Sequence, residues 1–83
     1  MMDSLKDRVK RVMATVFNVS PAQVPDDAEL MTTPGWDSLG HAQLMLALEE
    51  EFSVELPTQV VIELQSLPEI VEYFSDRATG APR

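Results

Sequence analysis

The chain has 83 residues, of which 14 are acidic and 6 basic, for a formal net charge of -8. A chain of this length suits one domain rather than two, and so small a core must use nearly every apolar helix face. The negative surface disfavours nucleic acid and anionic lipid, favours proteins with basic patches, and weakens the fold by self-repulsion at low salt. The absence of cysteine excludes a disulfide scaffold, a thiolate zinc site and a cysteine nucleophile, and the single histidine excludes a histidine-rich metal site. No apolar run is long enough to cross a bilayer, and residues 1–10 mix charges where a signal peptide needs an apolar segment. A cytoplasmic monomer with neither nucleic-acid nor membrane partners is the expectation.

Residues 3–17 place Leu5, Val9, Val12, Met13, Val16 and Phe17 at helical spacing, with Asp3 or Ser4 as the cap. Residues 18–36 contain Pro21, Pro25, Pro34 and Gly35 and keep no period, so they read as a long loop. Such a loop must pack in so small a domain, and Val19, Val24, Leu30, Met31 and Trp36 are the residues to pin it. Residues 37–52 form a second helix with Asp37 at its N-cap. At about 100° per residue, one face gathers His41, Leu44, Met45, Leu48 and Phe52. The opposite face gathers Leu39, Ala42 and Leu46, flanked by Gln43 and Glu50. A small core needs only the first of these faces, so the second predicts an exposed apolar docking surface rimmed by carboxylates.

Residues 58–64 suggest a short third helix capped by Thr58, although Val60, Val61 and Ile62 are β-branched. The last helix opens on a capping box, Ser66 to Glu69 with Pro68 in its first turn, and Leu67, Ile70, Val71 and Phe74 repeat along one side. Residues 78–83 are expected as a frayed tail. The pattern predicts an all-α four-helix bundle, three longer helices and one short third helix, with a long loop between helices 1 and 2 and a folded core of about 3–77.

Ser38 lies where the loop becomes the second helix. Backbone N–H groups are unpaired there and the helix dipole is positive, which favours an attached phosphodiester. Spacing alone favours the plainer reading of Ser38 as an ordinary helix-start serine, because Asp or Ser starts a great many helices. His41, one turn on, allows a hydrolase reading, but such a site also needs an orienting acid and an oxyanion hole. The plainer reading is a histidine at the core edge, hydrogen-bonded to the loop. Asp26, Asp27 and Glu29 form a fragment of a cation loop without EF-hand spacing, so no metal site is expected.

Asp37-Ser38-Leu39, then Leu44, Ala47-Leu48-Glu49-Glu50-Glu51-Phe52, Glu55 and Pro57 resemble the second-helix signature of acyl carrier proteins. The order and spacing of helices extend the resemblance over residues 4–74. It implies that Ser38, flanked by Asp37 and Leu39, receives 4′-phosphopantetheine from a dedicated phosphopantetheinyl transferase. Acyl groups would then ride as thioesters on a thiol that no cysteine of the chain needs to supply, and the chain would not be an enzyme. Basic surfaces of acyl-processing or acyl-loading enzymes would meet Leu39, Ala42, Gln43, Leu46, Glu49 and Glu50, and Leu46 is a candidate to line an acyl channel.

The sequence departs from the fatty-acid pattern at Gly40 and Gln43, where acids are usual, which removes two charges from the face expected to meet enzymes. The run Trp36-Asp37-Ser38-Leu39-Gly40-His41 looks more like free-standing carriers of specialised pathways, and a fold starting near Met1 points the same way. Three readings follow: an acyl carrier of fatty-acid, polyketide or related biosynthesis; an aminoacyl or peptidyl carrier; and a helix-binding interaction domain in which Ser38 is only a cap.

Overall fold

A computed structural model describes the backbone of residues 4–79 and the side chains of residues 4–76. The described residues form four α-helices: α1 (Leu5–Phe17), α2 (Ser38–Phe52), α3 (Thr58–Glu63) and α4 (Leu67–Thr79). The all-α bundle expected from the sequence is observed. Among the described residues, β pairing is confined to one isolated antiparallel bridge, Glu29 to Ser66.

The helices start where the sequence supplies side-chain acceptors. Ser4 caps α1 by accepting from the Asp7 amide at 3.1 Å; the alternative cap, Asp3, lies outside the described residues. Asp37 caps α2, its Oδ1 accepting from the Gly40 amide at 2.8 Å. Each such cap stabilises its helix by about 1 kcal/mol. At α4, Ser66 Oγ accepts from the Glu69 amide at 3.2 Å, and Glu69 Oε1 accepts from the Gln65 amide at 3.0 Å. The returning arm of the expected capping box therefore reaches one residue beyond Ser66. At α3 the N-cap is Pro57 rather than Thr58, and no side chain caps the helix. Helix α4 continues to Thr79, two residues into the stretch expected to fray, and the rest of that stretch lies outside the described residues.

Val9, Met13 and Phe17 of α1, Leu44, Met45 and Leu48 of α2, and Leu67, Ile70 and Phe74 of α4 make the core, as the periodicity implied. Leu56 and Leu64, which flank α3, are buried as well. Phe52 stacks on Phe74 with centroids 4.4 Å apart, and the Arg8 guanidinium lies 4.5 Å from the Phe52 centroid. The same Arg8 reaches Glu51 through Nε at 3.1 Å, so α1 clasps the end of α2.

The loop of residues 18–36 is packed and partly ordered by its own hydrogen bonds. It contains a 3-10 turn, Pro21–Gln23, and buries Val24, Ala28 and Trp36. It also runs beside the start of α4, with Leu67 N–H donating to Ala28 and Leu30 N–H to Gln65, each at 2.9 Å. Val19 and Leu30 pack against the core, but Met31 does not. Its backbone is left-handed (φ 75°) and its side chain is 68% exposed, because its amide is taken by the Trp36 carbonyl at 2.6 Å.

Asp26 accepts from Lys10 and from Lys6, which ties the loop to α1. Hydrogen bonding to Lys10, then to Lys6, holds its carboxyl below the usual carboxylate range. A depressed folded-state pKa contributes stability that is present above the ordinary aspartate range and lost as pH falls through the lower folded value. Asp26→Asn is expected to lower Tm slightly at neutral pH, and the gap to wild type should close in strong acid. Thermal melts between about pH 7 and pH 2 measure both. A gap that persisted at the acid end would contradict this account.

Candidate functional site

The start of α2 is built by close backbone packing. Gly35 has φ +89°, and a Cβ on it would sit 2.8 Å from Phe17 Cβ. Gly40 is buried, and a Cβ on it would lie 2.0 Å from the Gly35 carbonyl oxygen. Only hydrogen fits in that gap. The missing acid at Gly40 is thus not a charge withdrawn from an enzyme-facing surface, as the sequence pattern suggested; the loop backbone occupies the place of any side chain.

Between these glycines the chain places Trp36 inward and Asp37, Ser38 and Leu39 outward. Trp36 is 1% exposed, and its ring lies 5.8 Å from that of Phe17. Its indole Nε1–H donates to His41 Nδ1 at 3.0 Å, and His41 Nε2 lies 2.7 Å from the Val61 carbonyl oxygen. The core-edge reading of His41 is borne out, and a bond to α3 joins the expected bond to the loop. Both ring nitrogens are engaged away from Ser38, so His41 is not placed as its base.

Ser38 is exposed in the first turn of α2. The Asp37 side chain is turned back onto the helix start by its bond to Gly40. Leu39 is 68% and Leu46 64% exposed, and Ala42, Gln43 and Glu50 are exposed with them. The structure therefore brings the whole expected stripe to the surface, with Leu46 facing outward as part of it. Met45 is buried in the core.

The acids of α2 have separate fates. The helix carries no basic residue, and Glu49, Glu50 and Glu51 crowd its negative C-terminal end, where carboxylates are unfavourable. Glu51 is paired with Arg8. Glu49 is half-buried and accepts from the Leu56 amide at 2.8 Å, closing the turn into α3. Glu50 stays exposed. Glu49→Ala is expected to cost about 1–2 kcal/mol in urea denaturation and Glu49→Gln much less, because glutamine keeps the acceptor. Equal losses in both variants would assign Glu49 to charge rather than to that bond. Asp26 is engaged by lysines, and among the described residues no group of three or more metal-ligating side chains converges.

A family model described as a phosphopantetheine attachment site matches residues 7–74. The chain belongs to this family. The matched segment runs from the first turn of α1 to Phe74 in α4 and takes in the packed loop, the exposed start of α2 and α3. The chain is therefore a phosphopantetheine carrier, a protein to which 4′-phosphopantetheine is joined covalently. Proteins of this family work with the transferases that attach the arm and with biosynthetic enzymes. Among the described residues, no helix is long and apolar enough to cross a membrane.

Proposed function

We propose that Ser38 is the attachment residue and that the protein carries acyl groups as thioesters between cytoplasmic enzymes of fatty-acid, polyketide or related specialised biosynthesis, without catalysing a reaction itself. The observation that carries the reading is the exposed hydroxyl of Ser38 in the first turn of a rigidly seated helix, inside the segment that matches the family. A phosphodiester on Ser38 fits this place. The amides of Ser38 and Leu39 have no intrahelical acceptor, the helix dipole is positive there, and the Asp37 carboxylate is tied down on Gly40 rather than free to repel an anion. When bound, phosphopantetheine supplies the terminal thiol on which the thioester forms.

The chain's own residues hold the attachment point still and present a surface beside it. Leu39, Ala42 and Leu46 offer a small apolar contact, with Gln43, Glu50 and, at the border, Glu49 around it. Glu50 in particular is kept at an unfavourable helix end without, among the described residues, an internal tie such as Glu49 and Glu51 have, which suits a carboxylate reserved for a basic enzyme surface. Charge of this kind speeds encounter more than it strengthens binding, as a shuttle requires. The case for a specialised pathway now rests on Gln43 and the Trp36–His41 run, since packing accounts for Gly40.

The test is loading. The protein is treated with coenzyme A and a broad-specificity phosphopantetheinyl transferase, then with enzymes that supply malonyl, fatty-acyl or aminoacyl groups, and its intact mass is followed. Acyl loading without aminoacyl loading is expected. Aminoacyl loading alone would make it a peptide-pathway carrier.

A further inference from the structure

Helix α3 is six residues long and buries none of them. Its ends are anchored by Leu56 and Leu64, and Val60 and Val61 pack partly on the core. What ties its middle to α2 is the bond between His41 and the Val61 carbonyl. The chemistry of the partners assigns the tautomer. An indole N–H can only donate and a carbonyl can only accept, so His41 Nδ1 carries the lone pair and Nε2 carries the hydrogen.

We infer that His41 is a positioning residue: through Nδ1 it holds Trp36, and through Nε2–H it holds Val61, so that one imidazole sets both the loop before Ser38 and the register of α3 against α2. Trp36 immediately precedes the Asp37 cap, and its backbone is fixed on both sides, N–H to Thr33 at 2.9 Å and C=O from Met31 at 2.6 Å. The Val61 carbonyl belongs to the same peptide plane as the Ile62 amide. Holding it therefore fixes the backbone from which Ile62, 57% exposed, projects. The inference deepens the proposed function, resting on the reading that Ser38 and the α2 surface beside it are offered to enzymes.

Two conservative variants separate the halves of the bridge. Asparagine places its amide where Nδ1 stands, and glutamine reaches where Nε2 stands. In the apo protein, His41→Asn is expected to speed exchange of the hydrogen-bonded α3 amides, Val61 and Leu64 among them, about five- to tenfold and to leave the Trp36 indole N–H protected. His41→Gln is expected to do the reverse, and ring nitrogen shifts of wild type should report the Nε2–H tautomer. Amides of α1 serve as the control for global stability. Exchange that rises equally in α1 and α3, identical patterns in the two variants, or the Nδ1–H tautomer in wild type would each overturn the inference. These readouts do not depend on the arm, so failure to attach phosphopantetheine at Ser38 would count against the proposed function and leave the exchange result standing.

Discussion

Ser38→Ala is expected to fold like wild type and to accept no phosphopantetheine at all. The side chain is exposed, so its hydroxyl contributes no packing, and the helix keeps its Asp37 cap. Alanine in a first helical turn is neutral or slightly favourable for stability. The loss of arm attachment should instead be complete, because the oxygen that would bond to phosphorus is gone. Intact mass after incubation with coenzyme A and transferase reads attachment, and circular dichroism with urea denaturation reads the fold. Persistence of the mass increase in the variant would remove Ser38 from the account. A variant that failed to fold would show that the serine has a structural role that its exposure does not suggest.

Gly40→Ala carries the largest expected stability effect among the residues near the site. Alanine would normally improve a helix by about 1 kcal/mol over glycine. Here the added Cβ would meet the Gly35 carbonyl oxygen at 2.0 Å, and backbone cannot move aside as a flexible side chain can. Gly35 is itself pressed against Phe17, so the loop has little room to retreat. Overpacking of this kind costs about 3 kcal/mol, which outweighs the propensity gain and leaves a net loss of about 2 kcal/mol. Urea denaturation measures it. A neutral or stabilising result would return Gly40 to the role the sequence pattern suggested, a position where a charge is merely absent.

These two residues mark what could and could not be read from the sequence. The helices were legible because Val9, Met13 and Phe17, or Leu67, Ile70 and Phe74, repeat with the helical period and are buried. The exposed stripe was legible for the complementary reason: Leu39 and Leu46 fall opposite Leu44, Met45 and Leu48, and one small core cannot take both faces. Ser38 was legible through its neighbours rather than its own position. Gly40 was not, because its constraint comes from the backbone of Gly35, and periodicity says nothing about such an approach. Two glycines bracketing a tryptophan and a helix cap were the available signal. Met31 reads as a pin because it is apolar, but the turn that seats Trp36 spends its amide and points its side chain to solvent. The reach of His41 to Val61 lay beyond pattern reading, since the two are brought together only by packing of α3 on α2. A buried indole that needs an acceptor was the hint nearest to hand.

The central claim is that the arm is carried on the first turn of α2, at Ser38. Fragment-level mass spectrometry of the wild-type protein after reaction with coenzyme A and a phosphopantetheinyl transferase tests it most directly. The account predicts a single adduct per chain, localised to Ser38. An adduct on any other residue, or none under conditions that load a control carrier, would contradict it.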